Sequence, residues 1–170
     1  LKVNNQQETE EILSELADED FIVDKIAKKT VKRNPYPPFI TSKLQQEAIR
    51  KLRFTAKKTM VVAQQLYEGI EIGGETVGLI TYMRTDSVNL AQEALDEVRE
   101  FIGQRFGKDN VPDKPRVYKT KSKNAQEAHE AIRPSSIKRV PESIKDHLSK
   151  DQHRLYELIW KRTVACQMIH

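Results

Sequence analysis

The stretch NPYPP at residues 34–38 constrains the chain most, because it places three prolines within four positions. Proline lacks an amide donor and restricts the residue before it, so neither a helix nor a central strand can continue through it. We therefore predict two parts, residues 1–38 and residues 39–170. In the first part the pattern predicts a short acidic helix near Thr9–Leu16 and a strand near Asp20–Ile26.

The second part begins with signals for two helices and a hairpin. Ser42 and Gln45 have capping-box spacing, and apolar residues then recur at helical intervals up to Leu52. After a break near residues 53–55, a second helix is predicted at about Ala56–Tyr67, and the pair Gly73-Gly74 between two apolar segments predicts a hairpin. We expect the inner face of the second helix to consist of Met60, Ala63, Leu66 and Tyr67.

This order of helix, break, helix and hairpin is that of a winged helix-turn-helix. The predicted fold class is therefore mainly α (α+β), with a small β-hairpin. The remaining elements are a helix at about Leu90–Phe106 capped at Asn89, a loop over Gly107–Asn124, a helical piece at Ala125–Ile132, and a last helix at about Asp151–Met168 capped by Ser149 and Gln152.

Composition excludes several classes of protein. No apolar run approaches the roughly 20 residues that a membrane helix needs, so we expect no membrane partner. The single cysteine, Cys166, cannot form a disulfide framework or a cysteine zinc site, and it fits a reducing, intracellular setting. The net charge of +4 is too small to establish nucleic-acid binding. Because the first residues are polar and include no initiator methionine, we expect no signal peptide and a start inside a longer protein.

The segment LITYMRTDS at residues 79–87 is the first candidate for chemistry. An apolar run ends at Tyr82, and Arg84 follows two positions later, on the same face of a continuing strand. A free phenol is a poor nucleophile at neutral pH, but nearby positive charge favours the phenolate and stabilises a phosphoryl group under attack. The alternative is ordinary: a packed ring at the end of a strand and a solvated arginine.

Two further clusters could contact nucleic acid. On the predicted helix in NAQEAHEAIRPS, at residues 124–135, Gln126, His129 and Arg133 would share one face, and His129 and Arg133 could bind phosphate. The alternative is a capped surface helix. The basic residues Arg50, Lys51, Arg53, Lys57 and Lys58 surround the break before the second helix, where a helix N-terminus favours phosphate, although a solvated charged face explains them equally well.

LITYMRTDS and QEAHEAIRPS together resemble the signature segments of type IA DNA topoisomerases. The segments SKLQQEAIRKLRFTAKKTMVVAQQLYEG and LYELIWKRTVACQM also resemble the bacterial members, so the resemblance runs from about Asn34 to the C-terminus. It implies that Tyr82 attacks a phosphodiester of single-stranded DNA and becomes linked to the 5′ phosphate. Arg84 would hold that phosphate, and His129 and Arg133 would support it or bind DNA. From the basic residues around the helix break, and not from the resemblance, we also expect Arg50, Lys57 and Lys58 to bind DNA.

The resemblance also implies a division of the polypeptide. Residues 39–170 would form a winged-helix, catabolite-activator-like domain that bears the tyrosine, and residues 1–38 would belong to a β-containing arch domain and a linker. The Asp-x-Asp-x-Glu cluster that binds magnesium in the family does not occur in this chain. We therefore expect Mg²⁺ to be bound by an acidic module outside this chain, and no metal to be bound by the chain itself.

The function implied is ATP-independent strand passage that relaxes negative supercoils, in the bacterial cytoplasm at the nucleoid. The partners would be single-stranded DNA and the missing acidic and arch domains, and the chain alone would be inactive. Two other functions remain open. One is a winged-helix module that binds DNA without cleaving it, and the other is a helical scaffold that binds only protein.

Overall fold

The computed structural model describes residues 2–119 and 129–169. The chain forms two compact units, Leu1–Lys32 and Arg33–His170. About half of the residues are helical, and a two-stranded antiparallel sheet accompanies the helices, as the mainly α prediction requires. The assignment of residues 1–38 to an arch domain stays a prediction.

The first unit contains helix α1, Gln6–Leu16. The side chain of Asn5 caps it by accepting a hydrogen bond of 2.9 Å from the Glu8 amide, so the helix starts before the predicted Thr9. The predicted strand at Asp20–Ile26 is wrong, because these residues form neither helix nor strand. A strand needs a neighbour for its backbone amides and carbonyls, which an apolar pattern alone does not provide.

The second unit begins with α2, Thr41–Glu47, which continues as a π-helical turn, Ala48–Leu52. The predicted capping box at Ser42 is wrong, because Ser42 lies inside the helix, the cap position is Ile40, and no side chain caps the helix. The predicted break is confirmed: Arg53 adopts a left-handed conformation with φ of 61°. Helix α3, Ala56–Glu68, is capped by Thr55, whose hydroxyl accepts from the Lys58 amide.

The predicted hairpin is present as β1, Ile70–Ile72, and β2, Glu75–Val77. Gly73 and Gly74 connect the strands with φ of 63° and 88°, a conformation that glycine adopts at little cost. Because β2 ends at Val77, Tyr82 lies five residues beyond the hairpin. The order of elements matches a winged helix, but the assignment itself stays a prediction.

Helix α4, Gln92–Phe106, is not capped by Asn89 as predicted. A carboxylate oxygen of Glu130 accepts the hydrogen bond from the Ala91 amide instead, at 2.5 Å. Two short 3₁₀ helices, Lys108–Asn110 and Pro141–His147, were not predicted. The last helix, α5, is Lys150–Cys166, and its predicted capping box of Ser149 and Gln152 is confirmed.

The core of the second unit lies between α5 and the other helices. Trp160 on α5 is buried, and its indole N–H donates to the Ile137 carbonyl at 2.9 Å. On α3, Ala63 and Leu66 are buried as predicted, but Tyr67 is 41% exposed and Met60 is only half-buried. The fully buried aliphatic side chains of this core include Leu44, Leu66, Leu79, Ile102, Leu155 and Ile159.

Candidate active site

Residues 79–87 follow the hairpin as a segment whose side chains alternate between the interior and the solvent. Met83 is 1% exposed and Thr85 is buried, whereas Tyr82 is 48% exposed and Arg84 is also exposed. Within this segment, only Ile80 forms a β-type backbone pairing, an isolated antiparallel bridge to Pro134. The predicted strand is therefore absent beyond that point, but Tyr82 and Arg84 do share the solvent side.

The hydroxyl of Thr81 fixes the backbone immediately before Tyr82. It donates to the Ala131 carbonyl at 2.7 Å and accepts from the Arg133 amide at 3.0 Å. The Thr81 amide also donates to the Arg133 carbonyl at 2.9 Å. These three bonds tie the tyrosine segment to residues some 50 positions later in the sequence.

The hydroxyl of Thr41 has the same role on the other side of Tyr82. It donates to the Met83 carbonyl at 2.8 Å and accepts from the Thr85 amide at 2.9 Å. The Thr41 amide donates to the Thr85 carbonyl at 2.9 Å. The backbone of Tyr82-Met83-Arg84 is therefore held at both ends, while the side chains of Tyr82 and Arg84 project outward.

These two side chains lie in an open pocket of about 470 Å³. The ring of Tyr67 contacts the ring of Tyr82 edge to face, with 5.3 Å between their centroids and 62° between their planes. This contact places the Tyr82 ring against the end of α3. The pocket is lined by Tyr67, Thr81, Tyr82, Arg84, Thr85, His129 and Glu130.

The functional groups of Tyr82 and Arg84 remain available. Among the described residues, the hydroxyl of Tyr82 has no hydrogen-bond partner, and the guanidinium of Arg84 has no ion pair. Asp86 is exposed on the same side of the segment. The arrangement presents a phenol oxygen and a positive charge to the same pocket, and an anionic group such as a phosphate could contact both.

His129 and Arg133 are arranged differently from the prediction. Residues 129–132 are not helical, and Ile132 instead forms an antiparallel bridge with Phe39, so a shared helical face is wrong. Residues 125–128 and Gln126 lie outside the described residues. His129 lines the Tyr82 pocket, but Arg133 does not.

The guanidinium of Arg133 is engaged by Glu130. Its Nε and one terminal nitrogen donate to the two carboxylate oxygens at 2.9 and 2.8 Å, and its other terminal nitrogen donates to the Pro134 carbonyl at 2.9 Å. This bidentate pair uses the planar fork that a phosphate would need. Arg133 therefore fixes the shape of the loop that carries His129.

The three basic candidates near the helix break do not line the Tyr82 pocket. Arg50 pairs with Glu47 at 2.5 Å in the π-helical turn, and Lys58 pairs with Asp151 at 2.6 Å. Lys57 is exposed on α3. The structure therefore groups His129 with Tyr82 and Arg84, and it leaves Arg50, Lys57 and Lys58 on another part of the surface.

Four residues of the site were missed at the level of sequence. Thr81 adjoins the tyrosine, so its position alone could have identified it. Tyr67, Thr41 and Glu130 have no local signal, because their roles depend on contacts between residues 15 to 44 positions apart.

The described part of the chain contains neither a cluster of metal-binding side chains nor a membrane-spanning helix. Within residues 2–119 and 129–169, no three histidine, cysteine, aspartate or glutamate side chains are grouped to hold a metal ion. The side chains in these ranges therefore do not form a cluster that fits a magnesium ion. In the same residues, no helix combines the length and the hydropathy needed to cross a membrane.

The chain is similar to known proteins along most of its length. A family model described as DNA topoisomerase matches residues 1–170. DNA topoisomerase 1 of Rickettsia bellii (strain RML369-C) is 58% identical over 98% of this chain and 21% of its own length. DNA topoisomerase 1 of Xylella fastidiosa (strain Temecula1 / ATCC 700964) is 63% identical over 85% of this chain and 18% of its own length.

A solved structure is similar to the chain as well. Full-length topoisomerase I from Thermotoga maritima superposes with a TM-score of 0.78 at 42% sequence identity, over 94% of this chain and 25% of that one. The chain thus spans about a fifth of the length of the curated relatives it matches. With a family model over its whole length and relatives well above 50% identity, the chain belongs to the DNA topoisomerase family, among the bacterial type IA enzymes.

Proposed function

We propose that this chain carries the strand-cleaving tyrosine of a type IA DNA topoisomerase. The Tyr82 oxygen forms a bond to the phosphorus of a single-stranded DNA phosphodiester, and the bond from phosphorus to the 3′ oxygen breaks. The phenol proton passes to a base, and the 3′ oxygen takes up a proton as it leaves. The products are a 5′-phosphotyrosyl bond and a free 3′ hydroxyl.

Resealing is the reverse reaction. The 3′ hydroxyl attacks the phosphotyrosyl phosphorus, Tyr82 leaves, and the phosphodiester forms again. Because the covalent intermediate retains the energy of the broken bond, neither step consumes ATP. Passage of a second strand through the gap would then relax negative supercoils.

The observation that best supports the proposal is that the backbone on both sides of Tyr82 and Arg84 is held in place. Thr41 and Thr81 hold the backbone around them, and both side chains reach one pocket with their functional groups unpaired among the described residues. A nucleophile and a charge held in advance need little reorganisation when the phosphate arrives. Arg84 would neutralise the phosphate oxygens during attack.

We assign supporting roles to the remaining candidates. His129 lines the pocket and would contact the same phosphate or its neighbour. Arg133, held by Glu130, would support His129 by fixing its loop. Arg50, Lys57 and Lys58 would contact DNA outside the pocket, as expected of a winged-helix domain.

The chain supplies only part of the reaction in this proposal. No carboxylate contacts the Tyr82 hydroxyl among the described residues, so the base and the acid would come from an acidic module elsewhere in the polypeptide. Magnesium would bind to that module as well. The whole enzyme would act in the bacterial cytoplasm, at the nucleoid.

The decisive experiment replaces Tyr82 by Phe in the complete polypeptide that contains this chain. The covalent protein–DNA complex should disappear, while single-stranded DNA binding stays nearly unchanged, because only the nucleophilic oxygen is lost. Tyr67→Phe is the matched control, since it removes a hydroxyl from the adjoining ring and should still cleave. A covalent complex recovered from Tyr82→Phe would refute the assignment.

A second experiment tests the division of labour. The 170-residue chain is incubated with negatively supercoiled plasmid and magnesium, and no relaxation is expected until the acidic module is added. Relaxation by the chain alone would show that its own residues complete the chemistry. If the complete wild-type polypeptide forms no covalent adduct but binds DNA, the non-catalytic winged-helix alternative is correct.

A further inference from the structure

A second groove, of about 390 Å³, runs along α5 and shares no lining residue with the Tyr82 pocket. Four basic side chains and one acidic side chain line it, so its charge is predominantly positive. We call it the α5 groove. It is lined by Tyr36, Lys51, Leu52, Arg154, Glu157, Leu158, Lys161, Arg162 and Ala165.

One wall of the α5 groove is an aromatic ring held by an arginine. The guanidinium carbon of Arg162 lies 5.2 Å from the centroid of the Tyr36 ring and 4.3 Å from that of Phe39. A terminal nitrogen of Arg162 also donates to the Pro37 carbonyl at 3.3 Å. Tyr36 is nevertheless 74% exposed. A ring that is held against a guanidinium and open to solvent can stack on a nucleobase.

The lysines of the α5 groove keep donors for a ligand. Lys51 pairs with Glu47 at 2.8 Å, and Lys161 pairs with Glu157 at 2.6 Å. Their side chains are 51% and 67% exposed, respectively, and an ammonium group has three donors. The Lys161 pair is at least partly exposed on both sides and therefore weak, so a phosphate can share or replace it at small cost, whereas Lys51 keeps its pair with the largely buried Glu47 and offers its remaining donors.

A single carboxylate organises several of these cations. Glu47 contacts Arg50, Lys51 and Arg162. Burial acts to raise the pKa of Glu47, but the hydrogen bond from Lys51 and the charges of Lys51, Arg50 and Arg162 lower it overall. Glu47 therefore stays ionised and orients three cations, yet it balances only one of their charges.

We propose that the α5 groove binds a segment of single-stranded nucleic acid, separate from the segment cleaved at Tyr82. Lys51, Arg154 and Lys161 contact successive phosphates, and one base stacks on Tyr36. The exposed ring favours a single strand over a duplex, because stacked and paired bases cannot reach it. The proposal goes beyond the cleavage function and does not depend on it, since this binding requires no covalent chemistry.

The first test compares two double variants that lose the same charge. Binding of a fluorescent oligothymidylate to the 170-residue chain is measured by anisotropy over a series of salt concentrations. Lys51→Ala/Lys161→Ala should weaken binding about tenfold and lower the slope of log affinity against log salt by about 1.4, for two lost phosphate contacts. Lys138→Ala/Lys145→Ala, which removes exposed lysines outside the groove, should leave the slope unchanged. Equal slopes for the two variants would refute a localised site.

The second test concerns the Tyr36 ring and the type of ligand. Tyr36→Ala should weaken oligothymidylate binding fivefold or more, while Tyr36→Phe retains it, because stacking needs the ring and not the hydroxyl. Binding of a blunt duplex should not respond to either change. If Tyr36→Ala has no effect, no base stacks on the ring and the proposal fails. If polyglutamate binds the groove as tightly as the oligonucleotide, the groove takes an acidic polypeptide and the proposal fails as well. Arg84→Ala should keep the response to Lys51 and Lys161, which separates this result from failure of the cleavage function.

Discussion

Residues 20–26 and residues 79–87 have similar sequence patterns, but they differ in burial and in the partners of their backbone. Each has an apolar run that predicts a strand, and neither forms a regular one in the structure. In the first segment Phe21 and Ile22 are 84% and 86% exposed. In the second, Leu79 and Met83 are buried, and threonine hydroxyls bind the backbone. The difference lies in the partners available to each segment.

The partners of the tyrosine segment come from distant parts of the sequence. Thr41 bonds to residues 83 and 85, and Thr81 bonds to residues 131 and 133. Burial of Met83 and Thr85 then directs Tyr82 and Arg84 to the solvent. A strand-like pattern thus gives a defined functional surface only where other residues anchor it from both ends.

The largest effect on stability is expected at Met83. Its side chain is 1% exposed, so Met83→Ala removes buried apolar volume and should lower the free energy of unfolding by about 2–5 kcal/mol. Urea denaturation followed by circular dichroism measures the change. A loss below about 1 kcal/mol, typical of surface positions, would mean that the segment is not anchored by its buried face.

An intermediate effect is expected at Thr81. Thr81→Val keeps the shape but leaves the Ala131 carbonyl and the Arg133 amide without their hydroxyl partner, which costs about 1–3 kcal/mol. Thr81→Ser retains the hydroxyl and is the control. The stability of both variants and their yield of covalent complex are measured. If serine and valine behave alike, the hydroxyl does not position Tyr82.

At Arg84 we expect a smaller effect, which changes the rate of DNA cleavage and not the free energy of unfolding. Arg84→Lys keeps the charge but loses the planar fork that can grip two phosphate oxygens. Cleavage by the complete polypeptide should fall about tenfold, equivalent to about 1.4 kcal/mol of transition-state stabilisation, while the free energy of unfolding stays within about 0.5 kcal/mol. Cleavage at the wild-type rate would show that another residue holds the scissile phosphate.

Local signals explain what could be predicted from the sequence. The hairpin follows from Gly73-Gly74, the start of α5 from Ser149 and Gln152, and the end of the break from Thr55, which caps α3. In each case the residues that determine the conformation are neighbours in the sequence. The side-by-side placement of Tyr82 and Arg84 follows in the same way from alternation along an extended backbone.

Non-local contacts explain what could not be predicted. Helical spacing suggested a helix through His129 and Arg133, but Ile132 pairs with Phe39, and Glu130 binds both the Ala91 amide and Arg133. These contacts join residues that are up to about 90 positions apart, and they outweigh a local helical preference. The hydrogen bond from the Ala91 amide to Glu130, just before α4, has the same non-local origin.

The smallest effect is expected in the first of the two compared segments. Ile22 is 86% exposed, so Ile22→Thr removes almost no buried surface, and the free energy of unfolding should change by less than about 0.5 kcal/mol. The apolar run at residues 21–23 is exposed as a whole, so the polar hydroxyl should also reduce self-association, measured by sedimentation velocity at increasing concentration. Val61→Thr on α3 is a matched control, because Val61 is 50% exposed within a regular helix and lies outside that run. A loss of more than about 1 kcal/mol in Ile22→Thr would show that residues 20–26 are packed in solution, and the contrast with the tyrosine segment would disappear.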